Sequence, residues 1–363
     1  MTVIGFMPYQ VILNYDLQKN TRPNIVYHSE GIDGVLDVIK NPDDTVILSL
    51  DGNVEADNSL RQRKHFILKA HLPLMLSPDA QEVLIVGLGL GITVSSVLKH
   101  PNLKRIDVIE ILPSVIKAQE YLKNVNGDVL SDPRLNLHID DGRNFLKFTK
   151  NMYDVITADP AHPRISGMGL LYTQEYYRLM YEKLKDDGIV LQWMPLYSIS
   201  AKSFRVAVKT MVTVFPNTSV WYVPGHVLLL GAKTTKLVVF DYTVLASKFA
   251  DNSIAADFKS IGINTILEFL CLRIMSPAQV SAFLSQTSDS IPINTEGFPY
   301  LEYRTPFEFL ISVEKNLESL LPFVSRDVQF VINAPDGFLE GLTEIQESYI
   351  KTILSGKIEY ENR

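Results

Sequence analysis

The sequence is short of several things, and each shortage closes a class of protein. Its 363 residues hold one cysteine, Cys271, which excludes an intrachain disulfide framework and any multi-cysteine zinc site. Basic residues are outnumbered, 34 Lys and Arg against 41 Asp and Glu. The net charge of −7 argues against a nucleic-acid partner, which wants a basic face, and suits a cationic ligand better. The seven histidines show no H-x-x-x-H or H-E-x-x-H spacing, so no metal site is expected. No stretch reaches the roughly 20 uninterrupted apolar residues of a membrane span. The most apolar one, Val220 to Ala232, is broken by Pro224, Gly225 and His226. The opening MTVIGFMPYQVILNY has no basic segment ahead of its apolar run, so no signal peptide is expected and the chain reads as cytoplasmic.

What is present is enough apolar sequence, 46%, for a core spanning two or three domains. Residues 1–72 read as a small β-rich domain, with strands over 24–28, 34–39 and 45–50 and turns at Asn41-Pro42-Asp43-Asp44 and Asp51-Gly52. From 73 to 235 short continuous apolar runs (VLIVGLG, RIDVIEI, LNLHID, YDVITAD) each precede a helix-like stretch, at 94–99, 114–124, 142–149 and 173–184. That alternation predicts an α/β fold, a doubly wound parallel sheet buried on both faces. GIVLQWM, TSVWYV and HVLLLGAK complete its far edge. Residues 236–363 read as a helical C-terminal extension, with helices over 243–250, 263–272, 277–284 and 307–321 and a last one in the charged tail.

Gly87, Gly89 and Gly91 follow the first apolar run directly. Glycines at a strand end allow a sharp turn and let a ligand approach the N-terminus of the next helix. The spacing is G-x-G-x-G, and Ile92 stands where a standard NAD fingerprint needs its last glycine. Glu110 closes the second run, where a carboxylate can accept from both hydroxyls of a ribose; Asp140-Asp141-Gly142 closes the third and Asp159 the fourth. The bland reading of Glu110 and Asp141 is loop acids or helix caps. Acids at successive strand ends are instead a ligand constellation, one that suits S-adenosylmethionine or a relative with its cationic sulfonium.

LDGNVEAD (50–57), AHLPLML (70–76), VLIVGLGLG (83–91), IDVIEI (106–111), LHIDDGRNF (137–145), YDVITADPAHP (153–163) and LYTQEYYRLMYEKLKDDGIVLQW (171–193) together resemble the polyamine aminopropyltransferase (spermidine synthase) family over about 27–235. The nearer likeness is to spermidine-synthase-like proteins often fused to a membrane transporter, which share the run at 163–172 and the Asn294 to Tyr303 element. The resemblance implies a Rossmann-like, class I methyltransferase-type domain that takes decarboxylated S-adenosylmethionine as co-substrate and a small-molecule amine as acceptor, without a metal. It places Glu110 on the ribose, Asp141 and Gly142 on the adenine, Gly87, Gly89 and Gly91 on the methionine-derived arm, and Asp159 as catalytic acid residue and base. Family members commonly dimerise, so a homodimer is a candidate assembly.

Four departures cluster at the amine end. Leu90 stands where the family's glycine loop has an Asp for the aminopropyl amine. His162 replaces the second acid of the catalytic loop, and His65-Phe66 replaces a Tyr-Gln pair. The Gln after D-G is kept in spirit as Glu55. The acceptor is therefore expected to differ from putrescine or carry less charge, since each lost charge-assisted hydrogen bond is worth about 1.5–3 kcal/mol. His162 is a candidate second catalytic residue, a substrate donor or a plain loop histidine. His65, Tyr172 and Gln192 are pocket candidates or ordinary packing residues; Tyr172 follows Gly167-Met168-Gly169, a segment able to close over substrate. His71 is expected to bond the β-region to the sheet domain. Asn294-Thr295-Glu296 and Pro299 to Tyr303 either fold back toward the site or brace the C-terminal helices. Three functions stay open: aminopropyl transfer, S-adenosylmethionine-dependent methyl transfer, and a non-catalytic nucleoside or polyamine binder.

Overall fold

The computed structural model describes residues 24–31, 34–234, 238–286, 290–324 and 327–354. The opening segment and the end of the charged tail, with the expectations made for them, lie outside the described residues. Strands β1 (Asn24–Gly31), β2 (Gly34–Lys40), β3 (Val46–Leu50) and β4 (Asn53–Asp57) form a four-stranded antiparallel sheet in chain order. The first three are the runs expected from alternation. The fourth, NVEAD, has weak strand propensity. It pairs because Asp51 and Gly52, at φ 51° and 79°, make a two-residue hairpin turn that folds it onto β3.

Helix α1 (Leu60–Leu76) comes next, capped by Ser59, whose side chain accepts from the Gln62 N–H. Nothing in the periodicity predicted it. Every residue from His65 to Met75 is buried, so no polar face marks the 3.6-residue period. Residue 72, the expected domain boundary, falls inside this helix.

The large sheet takes β5 (Glu82–Val86), β6 (Arg105–Glu110), β7 (Leu135–Ile139), β8 (Tyr153–Ala158), β9 (Leu184–Pro195), β10 (Ser219–Val223) and β11 (His226–Ala232). Beyond it, β12 (Phe240–Asp241) belongs to a separate two-stranded pair, and β13 (Arg273–Met275) joins the large sheet at its edge. The order is β13-β10-β11-β9-β8-β5-β6-β7, parallel from β9 to β7 and antiparallel beyond β9. Helices α2 (Ile92–Leu98), α3 (Pro113–Ala118), α4 (Gly142–Phe148), α5 (Gln174–Lys183) and α6 (Ala201–Val212) flank it. The apolar run of β5 serves both faces: Val83 and Ile85 belong to one buried cluster, Leu84 and Val86 to the other. This is the Rossmann-like doubly wound sheet with its small N-terminal β-domain.

The C-terminal region is mostly helical: α7 (Tyr242–Ala250), α8 (Asn252–Ser260), α9 (Ile266–Leu270), α10 (Pro277–Ser285), α11 (Tyr300–Arg304), α12 (Val313–Leu320) and α13 (Phe338–Leu354). It also supplies β13 and the short β14 (Val331–Ile332), which pairs with β12. It is stitched to the sheet domain through Asp257 of α8. Asp257 accepts from His71 Nε2 at 3.0 Å, Ser96 Oγ at 2.8 Å and Lys99 Nζ at 2.5 Å. His71 Nδ1 meets His100 Nε2 at 2.9 Å. His71 thus ties α1 to the C-terminal extension, where the sequence suggested a bond between β-region and sheet. No helix among the described residues is long and apolar enough to cross a membrane.

Candidate active site

Strand order reverses at β5, which has β6 on one side and β8 on the other. Loops leaving such neighbours diverge and open a crevice over the carboxyl ends. Two backbone bonds fix how the loops leave: Gly87 N–H donates to the Ile109 carbonyl at 2.8 Å, and Asp159 N–H to the Val86 carbonyl at 2.9 Å. The resulting cavity has Gly87, Gly89, Glu110, Asp140, Asp141 and Asp159 in its wall. Leu36, Leu48 and Glu55 of the β-domain cover it from one side, and Trp193 and Tyr197 close another. A side chain at Gly87 has no room, because its Cβ would lie 2.9 Å from the Asp159 carbonyl oxygen and its φ is +98°.

Glu110 is almost wholly buried. Its two oxygens accept the Leu88 N–H at 3.1 Å and the Leu112 N–H at 3.0 Å, which holds the glycine turn to the end of β6. Burial raises its carboxyl above the usual range, and these backbone donors only partly offset that. Each oxygen keeps a further lone pair for a ligand hydroxyl. Asp141 is also the N-cap of α4, accepting from Arg143 N at 2.8 Å and Asn144 N at 3.3 Å. Burial pushes its carboxyl up, but the Arg143 guanidinium and the helix donors win and hold it low. The cap and the cavity wall are therefore the same residue. Gly142, which is buried, also lines the cavity; a Cβ there would come within 2.8 Å of Val86.

Gly91 does something else. It is not in the cavity wall but starts α2 at φ +77°, where a Cβ would strike the Asn126 amide at 2.7 Å. Leu90 is likewise in the core and outside the cavity wall.

Asp159 reaches the cavity and is paired with Lys69. Lys69 is fully buried in α1, its ammonium 4.5 Å from the Phe66 ring centroid. Burial lowers its pKa, and the Asp159 carboxylate opposes that shift. No sequence motif pointed to this lysine. The signal available was a lone cation in the apolar run ILKAHLPL, and the stripe Gln62, His65, Phe66, Lys69 at helical spacing. The first three line the cavity and the fourth backs its acid.

His162 lines the cavity with both ring nitrogens engaged by backbone. Nε2–H donates to the Tyr197 carbonyl at 2.9 Å, and Nδ1 accepts from Arg164 N–H at 3.1 Å. Burial first, then Arg164, lowers its pKa to about 4. His65 faces the cavity, its ring 4.6 Å from that of His226, with Nδ1 unpartnered. Tyr172 and Gln192 are fully buried and outside the cavity wall. The Asn294 and Pro299–Tyr303 elements do fold back. Glu302 accepts from Gly167 N at 2.6 Å and Gly169 N at 3.0 Å, and Asn294 Nδ2 donates to the Gly169 and Tyr172 carbonyls, each at 3.0 Å. They pin the segment that carries Gly167 and Met168 of the cavity rim.

A parallel sheet with an acid-lined cavity at its switch point defines a Rossmann-like α/β protein. A profile described as the spermine/spermidine synthase domain matches residues 66–235. The polyamine aminopropyltransferase of Thermotoga petrophila is 35% identical over 189 residues, 51% of this chain and 62% of that one. The polyamine aminopropyltransferase of Clostridium perfringens is 31% identical over 203 residues, 53% of this chain and 70% of that one. The crystal structure of spermidine synthase from Thermotoga maritima superposes with a TM-score of 0.52 at 26% identity, over 66% of this chain and 88% of that one. A spermidine synthase in complex with the transition-state analogue AdoDATO gives 0.53 at 27%, with the same coverage of 66% and 88%. The chain belongs to the spermine/spermidine synthase family. It spans 62% to 66% of the length of its Thermotoga relatives.

Proposed function

We propose that this chain is an aminopropyltransferase that moves an aminopropyl group from decarboxylated S-adenosylmethionine to an amine and releases methylthioadenosine. One observation carries the reading: Glu110, Asp140, Asp141 and Asp159, from the ends of β6, β7 and β8, share one cavity with the Gly87–Gly89 turn that follows β5 between them. Glu110 offers a ribose its free lone pairs, and Asp141 with Gly142 offers the adenine an edge. The donor set fits a cationic nucleoside, since the acids far outnumber the cations in the wall.

Asp159 is the base of this reading. A primary amine is protonated at neutral pH and cannot attack carbon until it loses a proton. The Asp159 carboxylate draws the ammonium in and accepts that proton. Nitrogen then bonds to the carbon beside sulfur, the carbon–sulfur bond breaks, and its electron pair leaves with sulfur as a neutral thioether. His162, with both nitrogens committed to backbone, braces the loop and takes no proton in this scheme. Leu90 favours a second reading, methyl transfer from S-adenosylmethionine, because the acid for an aminopropyl amine is absent. Calorimetric binding of S-adenosylmethionine, its decarboxylated form and methylthioadenosine, with product analysis, separates the two. Methylthioadenosine release supports aminopropyl transfer, S-adenosylhomocysteine release transfers the assignment to methyl transfer, and binding without product leaves a non-catalytic binder.

A further inference from the structure

We propose that the acceptor end of this cavity takes an amine carrying its own carboxylate, rather than a diamine, with Arg164 as the carboxylate partner. The inference rests on the nucleoside reading above. It begins with Lys69. A diamine site needs free acids for two ammonium groups, and here the acid beside the reacting centre already has a buried cation at its back. The wall at that end adds one further acid, Glu55, and one cation, Arg164.

Arg164 is the less expected of the two. Its backbone is fixed through the His162 ring, and its guanidinium, which makes no ion pair within 4 Å among the described residues, acts on Glu55 and Tyr197 through its charge alone. A planar guanidinium lining a half-closed apolar cavity matches a carboxylate in two-point geometry. The other polar groups there bring no compensating charge, since His65 and His162 are buried and neutral and Tyr197 is uncharged. A dication would find Glu55 as its one further acid at this end, and the Arg164 charge already acts on Glu55 and stands against the far ammonium. An amine with a carboxylate satisfies both ends: ammonium toward Asp159 and Glu55, carboxylate toward Arg164.

The test is calorimetry on the full chain saturated with methylthioadenosine, using three probes of one length: 4-aminobutanoate, 1,4-diaminobutane and butylamine. The expected result is at least about tenfold tighter binding of 4-aminobutanoate than of 1,4-diaminobutane, the worth of one charge-assisted pair. Arg164→Gln should erase that preference, and Lys69→Met, which unmasks Asp159, should shift it toward the diamine. Unchanged methylthioadenosine affinity in both variants shows that they are folded. Equal or tighter binding of 1,4-diaminobutane, a preference that survives Arg164→Gln, or binding of none of the three overturns the inference while leaving the nucleoside reading intact. Absence of methylthioadenosine binding defeats that reading, and this inference falls with it.

Discussion

Asp159 and Glu110 are both acids at strand ends, yet their surroundings give them different work. Asp159 stands partly open with a lysine behind it, while Glu110 is buried and accepts two backbone N–H groups. Asp159→Asn keeps the shape and removes the proton acceptor of the proposed reaction. Methylthioadenosine release should fall by about 10²-fold or more, as loss of a general base does, with nucleoside affinity nearly unchanged. Calorimetry beside a product assay checks it, and undiminished turnover would remove Asp159 as base. Glu110→Gln keeps acceptors for some of its backbone donors and cancels the charge, so methylthioadenosine binding should weaken about tenfold. Untouched affinity would show the nucleoside assignment to be wrong. The sequence made both acids visible because strand ends are local features. Lys69 was hidden, since an isolated cation in an apolar run states nothing about which acid it will meet.

Among the elements, the rim segment from Gly167 to Tyr172 behaves differently from what its glycines suggested. Gly167-Met168-Gly169 reads as a segment free to close, but Glu302 at the head of α11 takes two of its N–H groups and Asn294 takes two of its carbonyls. Glu302→Ala should cost about 1.5–3 kcal/mol in chemical denaturation and speed amide exchange at Gly167 and Gly169. Exchange at the wild-type rate would mean the rim holds itself. The glycine turn after β5 has the opposite constraint, a backbone neighbour. Gly87→Ala brings a Cβ to 2.9 Å from the Asp159 carbonyl in a left-handed conformation, a strain of roughly 1–3 kcal/mol. A urea midpoint equal to that of the wild type would contradict it.

The whole molecule carries an acid-sensitive interior. His65, His71, His100, His162 and His226 all have pKa values below the ordinary 6.5, with burial as the first cause in each; His226 falls to about 3 and His100 to about 2. The unfolded chain therefore binds more protons than the folded one below about pH 6.5. Stability from these groups is fully present above pH 6.5 and is lost as pH falls toward the folded-state values. His28, raised by Asp37, works in the other direction but is largely exposed. The melting temperature should be level from pH 7 to 8 and drop steadily from about 6.5 to 4.5, and His100→Gln should flatten the drop. A level profile down to pH 5 would show these rings to be solvated. Because His71, Ser96 and Asp257 join α1, α2 and α8, with His100 against His71, the C-terminal extension is expected to loosen first.

Read on its own, the sequence determined the parallel strands of the sheet, the glycine turn and the row of acids at the strand ends. Those follow from apolar runs and turn residues a few positions apart, whose effect is local. Helix α1 escaped because burial on all sides erases the period that reveals a helix, and β4 because a hairpin turn overrode its propensity. What only the tertiary structure decided is which charges meet: Lys69 with Asp159, Glu302 with the rim, and Asp257 with His71. Those pairs join residues far apart in the chain, and their partners are chosen by how helices pack across the sheet. Neighbouring residues carry no record of that choice.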